Sequence, residues 1–220
     1  MENIKLDKLD NIITIENPYI LLIGMINSGK SNIIKKIHKY NKINNKINNN
    51  IISSVAVVNT EMHNFFYKDF IKDKYIYFRY DNSILPRIFE RQKLLIENNK
   101  EYKTELILDN CMSSRGDWTK NEEIKDLFYN KEKHKLTTIL SISFPLGIPV
   151  EMRQTFDYIF LLSEHFSSNR KRIFEHYGYN IFSTFEEFDS IFIKIIDNNY
   201  YNCLVLDMKN KKYFIYNSRK

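Results

Sequence analysis

At 220 residues the chain is long enough to bury one sizeable core and too short for two full-sized domains, so a single domain over residues 1–220 is expected. Hydrophobic residues make up 43% and aromatics 15%, which excludes a disordered tail, and two cysteines, Cys111 and Cys203, exclude a disulfide framework or an all-cysteine zinc site. A net charge of +6 favours a polyanionic partner, although the abundance of Ile, Asn and Lys with only 5 Gly and 4 Pro is the composition of AT-rich coding and inflates that balance. No apolar stretch reaches the roughly 18 residues of a membrane helix, and the start has no basic flank followed by an apolar signal core. A soluble protein not secreted by that route, with no membrane partner, is expected.

In chain order, residues 19–23 (YILLI) read as a buried strand that breaks at Gly24. Ser28-Gly29-Lys30-Ser31 then opens a helix with Ile33, Ile34, Ile37 and Tyr40 at helical spacing. Residues 41–50 are polar, Asn/Lys-rich and of low complexity, and read as a surface loop, a connection or a frayed helix end, and not as a domain boundary. Residues 51–58 (IISSVAVV) read as a buried strand, and Ser83 as the cap of a helix through ILPRIFERQKLLIE, with Pro86 tolerated in its first turn. Further strands are expected at 105–109, 137–143 and 158–163, separated by helix-like segments around 120–130 and 150–155. Two helices and two strands around a Lys-Asn-Lys-Lys turn follow. This alternation predicts an α/β fold, a central mostly parallel sheet covered by helices on both faces.

Gly24-Met25-Ile26-Asn27-Ser28-Gly29-Lys30-Ser31 satisfies G-x-x-x-x-G-K-[ST], the phosphate-binding P-loop, and lies between a strand and a helix as that motif requires. The spacing has a physical reason. Backbone N–H groups from Gly24, Asn27, Ser28 and Gly29 must wrap a phosphate with no Cβ in the way, Lys30 must reach its outer oxygens, and the Ser31 hydroxyl must ligate Mg²⁺. With 5 Gly in the chain, a chance match has an expectation on the order of 10⁻³. Residues 104–110 (TELILDN) form an apolar strand that delivers Asp109 at its carboxy end, the ligand-binding edge of a parallel sheet, where it can share the metal with Ser31. Neither Asn41-Lys42-Ile43-Asn44 nor Asn130-Lys131-Glu132-Lys133 completes the Asn-Lys-x-Asp element of guanine recognition, which disfavours a GTPase.

Beyond the P-loop, Asn59-Thr60-Glu61-Met62-His63-Asn64-Phe65-Phe66-Tyr67, Leu108-Asp109-Asn110-Cys111-Met112 with Trp118, Phe144-Pro145-Leu146-Gly147-Ile148-Pro149, Met152-Arg153 and residues 156–162 (FDYIFLL) follow in collinear order. Lys171-Arg172-Ile173-Phe174-Glu175-His176-Tyr177 and Thr184-Phe185 continue the series. Together these resemble the DNA-packaging ATPases of nucleocytoplasmic large DNA viruses, a group of FtsK/HerA-class P-loop motors, over roughly residues 18 to 206. The resemblance implies ATP and Mg²⁺ as cofactors, with Lys30 on the β/γ-phosphates and Ser31 and Asp109 on the metal. It also implies that Glu61 or another nearby acid orients the attacking water, and that Arg153 either reaches a neighbouring subunit's γ-phosphate or forms a surface salt bridge. Double-stranded DNA, capsid or other packaging proteins, a homo-oligomeric ring and a place in the host cytoplasm (the viral factory) or the virion follow from the same resemblance. A small-molecule kinase using the same loop is disfavoured by the distal segments.

Three positions depart from that pattern. The acid that usually follows the metal-binding Asp is Asn110, which as an amide cannot take a proton from water, so hydrolysis should slow by roughly 10²–10⁴-fold if nothing substitutes. The Gln before Phe-Pro is Ser143, and the Asn-Gly-Arg-His stretch is Asn130-Lys131-Glu132-Lys133, for which Lys133 and His134 are candidate stand-ins. A hydrolysis-deficient nucleotide-binding subunit is therefore the alternative to an active translocase. Lys35, Lys39, Lys42 and Lys46 share one helical face, either a DNA-facing stripe or a solvated surface. Cys111 reads as a small packed residue, Asp157 as a turn cap, and the five His show no metal-ligand spacing.

Overall fold

The computed structural model of the chain describes residues 5–47, 51–59, 64–98, 102–112, 117–144 and 147–219. A short helix α1 (Leu9–Ile12) precedes strand β1 (Tyr19–Ile23), helix α2 (Lys30–Ile47), β2 (Ile51–Val58), α3 (Asn64–Lys68), β3 (Ile76–Tyr77), α4 (Ile84–Glu97) and β4 (Tyr102–Asp109). Then come α5 (Glu122–Tyr129), α6 (Lys131–His134), β5 (Leu136–Ile142), α7 (Val150–Arg153), β6 (Tyr158–Leu161), α8 (Ser167–Ile173), a π-helical turn (Phe174–Gly178), α9 (Phe185–Asn198), β7 (Asn202–Asp207) and β8 (Lys212–Asn217). Among the described residues eight strands join one sheet in the order β3-β2-β4-β5-β1-β6-β7-β8. The first six are parallel, while β7 runs antiparallel to β6 and β8 antiparallel to β7.

Every residue of β1, β5 and β6 is buried, as expected for parallel strands covered on both faces. Side chains alternate between the two faces with a period of two. Ile20, Leu22, Ile107, Ile139 and Phe160 pack beneath Ile33, Ile34 and Ile37 of α2. Tyr19, Leu21, Ile23, Leu106 and Leu108 meet α4, α5 and α9 through Leu85, Leu127, Phe188 and Phe192. Each such fully buried aliphatic side chain contributes about 1.5–3 kcal/mol of transfer free energy. Helix starts are fixed locally. Asn121 Oδ1 accepts from Ile124 N at 3.0 Å ahead of α5, and Thr184 Oγ1 accepts from Glu187 N at 3.2 Å ahead of α9.

The α/β architecture thus agrees with the sequence reading, with three local corrections. Residues 41–47 are not a loop: α2 continues through Ile47, its polar turn anchored by Asn41 Nδ2, which donates to the buried Glu105 at 2.9 Å. Residues 48–50 lie outside the described residues. Ser83 does not cap α4 with its side chain. Instead its own N–H donates to Asp81 Oδ1 at 2.8 Å, which turns the chain into the helix. Asp157 is not a turn cap either, since its carboxylate accepts from Tyr19 N at 2.7 Å and from Lys131 Nζ, pinning the start of β1 to the start of β6.

The register aligns the strand ends. Ile23 pairs with Ile142 and Leu161, and Asp109 with Ser141, so Gly24, Asn110, Ser143 and Leu162 all emerge at the carboxy edge. Because β8 is reversed twice relative to β6, it runs in the direction of β1 and ends at the same edge.

Candidate nucleotide site

The loop between β1 and α2 requires its glycines for different reasons. A Cβ on Gly24 would lie 2.7 Å from both Leu162 Cβ and Ser28 Oγ, whereas Gly29 has φ +99, a conformation that side chains strain. Asn27 also takes the left-handed region, at φ 64. These turns fold the loop back over Lys30, which is 7% exposed. Its Nζ donates to the Gly24 carbonyl at 2.7 Å and to the Met25 carbonyl at 2.8 Å. Burial pushes the Lys30 ammonium down to about 8, with the Asp109 charge opposing the shift.

Asp109, at the end of β4, is 4% exposed. One oxygen, Oδ2, accepts from Ser31 Oγ at 2.8 Å and from Tyr67 Oη at 2.7 Å. Tyr67 belongs to α3 and is fully buried beside Phe66 and Phe70. Burial, and then the neighbouring Asp109 charge, push its phenol well above the ordinary range, so it remains a donor. Among the described residues Asp109 forms no ion pair, and Lys30 contacts only neutral carbonyls. Two buried, opposite charges that do not satisfy each other fit a bound group carrying both signs, namely phosphate oxygens with a divalent cation. Among the described residues no cluster of three His, Cys, Asp or Glu side chains offers a metal cage.

A cleft of about 300 Å³ opens over this arrangement, lined by the loop, Phe66, Asn110 and Ser143. Asn110 has φ 51, its N–H donates to the Ser141 carbonyl at 2.9 Å, and its Oδ1 accepts from Ser143 Oγ at 3.0 Å. Two of the departures seen in the sequence are therefore bonded to each other. Among the described residues lining the cleft there is no carboxylate.

The remaining expected residues distribute as follows. Glu61 lies outside the described residues, as do residues 113–116 and 145–146. Arg153, in α7, does not line the cleft of its own chain. Its Nε is buried with no hydrogen-bond partner, its charge is felt by Tyr177, and it forms no ion pair among the described residues, so the salt-bridge alternative is not observed. Lys133 and His134 do not stand in at the cleft of this chain. They precede β5 at the opposite edge of the sheet, where Lys133 Nζ is 3.5 Å and His134 Nε2 2.8 Å from Asp126. Lys35 is held by Asp69 at 2.7 Å and by the Phe66 ring, Lys39 and Lys42 are exposed, and the side chain of Lys46 lies outside those described. Cys111 packs partly buried against the core, and burial raises its thiol.

Sequence reasoning missed three features. Tyr67 was part of a motif without a role, and its signal is an aromatic hydroxyl one helix beyond β2, next to the strand that ends in Asp109. His38 Nδ1 lies 2.7 Å from Glu105 Oε2 in a fully buried pair, which places an ionisable residue inside an apolar strand. Tyr200 reaches the P-loop from 173 residues away, a contact no local pattern announces.

No family model matches the chain. It is 29% identical over 200 residues to an uncharacterized protein of Acanthamoeba polyphaga mimivirus, covering 87% of this chain and 67% of that one. Over 176 residues it is 30% identical to an uncharacterized protein of Invertebrate iridescent virus 3, covering 80% of this chain and 64% of that one. The chain thus spans about two thirds of the length of these curated relatives. Among solved structures, the genome packaging NTPase of Sulfolobus turreted icosahedral virus 2 in complex with AMPPCP superposes with a TM-score of 0.66 at 16% identity, covering 92% of this chain and 98% of that one. EssC (ATPases 2 and 3) from Geobacillus thermodenitrificans gives 0.60 at 14% identity, covering 93% and 40%. The chain has the P-loop NTPase fold of that viral genome-packaging enzyme, and its sequence relatives are proteins of large DNA viruses.

Proposed function

We propose that the chain is an ATP-binding P-loop ATPase of the genome-packaging kind, coupling nucleotide binding and hydrolysis to the movement of double-stranded DNA into a capsid. The observation that carries this reading is the pair of buried, unneutralised charges, Lys30 and Asp109, set on either side of Ser31 beneath an open cleft. On nucleotide binding, Lys30 exchanges the Gly24 and Met25 carbonyls for β- and γ-phosphate oxygens, recovering a full ionic partner for its buried ammonium. Ser31 and Asp109 would hold Mg²⁺, which supplies charge neutralisation between the phosphates. Tyr67 keeps the Asp109 carboxylate turned toward Ser31. The backbone N–H groups of the loop wrap the phosphates, the Gly24 position having no room for a Cβ.

In this reading Glu61 orients the attacking water and Arg153 acts on the site of a neighbouring subunit in a homo-oligomeric ring, working with capsid or other packaging proteins in the host cytoplasm or the virion. The net charge of +6 suits sequence-independent DNA binding that weakens steeply with salt. Among the described residues no helix is long and apolar enough to cross a membrane.

One observation favours a second reading, a subunit that binds ATP but hydrolyses it poorly. Asn110, in place of an acid, is held by Ser143 at the cleft wall, and an amide bonded to a hydroxyl has no base to offer. Phosphate release with and without duplex DNA, over a range of salt, tests the proposal. DNA-stimulated release that fades as salt rises supports the translocase. ATP binding without release supports the second reading, and absence of both overturns the proposal.

A further inference from the structure

Outside the loop itself, the residues at the metal end of the cleft lie on one side of it. Asp109, Asn110 and Ser143 follow β4 and β5, on one flank of β1, so the γ end of a bound triphosphate points that way. The sugar and base must then leave on the other flank, over the ends of β6, β7 and β8. On that flank, α9 ends at Asn198, and Tyr200 and Tyr201 lead into β7, at the same edge at which β8 ends.

Tyr200 is 42% exposed, yet its hydroxyl donates to the Asn27 carbonyl of the P-loop at 3.3 Å. Tyr201 carries the Arg219 guanidinium 3.5 Å over its ring centroid, and the two are locked together at the backbone by Ser218 N donating to the Tyr201 carbonyl at 2.9 Å. Arg219 N donates in turn to Asn217 Oδ1 at 2.8 Å. Ser218 Oγ is buried with no hydrogen-bond partner, 3.5 Å from where a Cβ on Gly29 would lie, so the end of β8 is packed directly against the P-loop. The Tyr200 and Tyr201 rings stand perpendicular, 5.6 Å apart between centroids, so the exposed Tyr200 ring, tied to the loop, has the Tyr201–Arg219 pair at its side, and together they give a polarisable corner beside the phosphate site.

We propose that Tyr200, with the Tyr201–Arg219 pair beside it, forms the nucleoside subsite, taking the nucleobase of a bound nucleoside triphosphate by stacking on the exposed Tyr200 ring with the Arg219 guanidinium at its edge. The inference rests on the nucleotide-binding reading above. Stacking of a base on an aromatic side chain uses the π face, and loss of one such partner weakens binding by about tenfold or more.

The test titrates ATP and inorganic tripolyphosphate, each with Mg²⁺, into wild type and the Tyr200→Ala, Tyr200→Phe and Arg219→Ala variants by calorimetry. Wild type should bind ATP at least about tenfold more tightly than tripolyphosphate. Tyr200→Ala and Arg219→Ala should each remove about tenfold of the ATP affinity and leave tripolyphosphate binding unchanged, which also reports that the loop is folded. Tyr200→Phe, which keeps the ring and loses the hydroxyl, should bind ATP like wild type. ATP affinity unmoved by the alanine variants overturns the subsite while the nucleotide reading stands. A Tyr200→Phe loss as large as that of Tyr200→Ala also overturns it, because the tyrosine would then act through Asn27 alone. Failure of wild type to bind either ligand overturns the subsite together with the nucleotide reading.

Discussion

The state of Lys30 makes nucleotide binding a proton-linked event. Without ligand its ammonium is buried against two neutral carbonyls and titrates at about 8. In contact with phosphate it should return to at least the ordinary lysine value of about 10.4. At pH 7 roughly nine in ten free molecules are already protonated, and at pH 9 roughly nine in ten are not. Binding at pH 9 should therefore draw about 0.9 proton per site from solution, against about 0.1 at pH 7, and affinity should be about tenfold weaker at pH 9. The stability of the free protein carries the opposite face of the same linkage. Because the folded pKa is depressed, the penalty of a buried ammonium is fully present below pH 8 and disappears as pH rises through the unfolded value. This one group therefore stabilises the ligand-free fold, relative to neutral pH, by about 3 kcal/mol on going from pH 8 to above 10.5. Calorimetric titration of ATP in buffers of differing ionisation enthalpy reads the proton count directly. Uptake that stays near zero at pH 9, with affinity flat from pH 7 to 9, would refute the reasoning.

Asn110→Asp should raise steady-state phosphate release by at least about tenfold if the missing acid limits turnover, since a positioned base contributes roughly 10²–10⁴; no gain would assign that role elsewhere. Because Ser143 bonds to residue 110 and completes the same unit, Ser143→Gln combined with Asn110→Asp should exceed the single change, a non-additivity readable in the same assay. Tyr67→Phe removes one of the two donors that the buried Asp109 carboxylate has among the described residues, about 1.5–3 kcal/mol, and should lower the melting temperature by about 5 °C and weaken Mg²⁺-dependent ATP binding. Gly24→Ala places a methyl 2.7 Å from Leu162 Cβ, so nucleotide affinity should fall about tenfold or more while the sheet, followed by circular dichroism, persists.

The part of this protein legible from sequence is the part written in short-range patterns. Strand β1, the loop and the start of α2 follow from an apolar run, two glycines at fixed offsets and a helical repeat of Ile. Asp109 follows from its place at the end of an apolar strand. The run after residue 40 misleads because its many Asn residues have low helix propensity and its composition is of low complexity. Tertiary anchoring by Tyr40, whose hydroxyl donates to the Ile13 carbonyl, and by Asn41 overrides it. The segment 131–134 misleads for a different reason: collinear alignment matches residue types but does not say at which edge of a parallel sheet they fall, and α6 sits where β5 begins. Tyr67 meets Asp109 only because β2 pairs with β4, and Tyr200 and Arg219 come beside the P-loop only because β7 and β8 return along that flank, so both placements are set by topology and not by a local pattern.

The most direct test of the central claim is a fluorescent-nucleotide titration of wild type and Lys30→Ala with Mg²⁺ present. Micromolar-range affinity in wild type and a loss of at least about tenfold in the variant are predicted, because a charge-assisted contact to phosphate contributes about 1.5–3 kcal/mol. Equal affinity in the two proteins would contradict the account, since the cleft above Lys30 and Asp109 would then not be the place where a nucleotide binds.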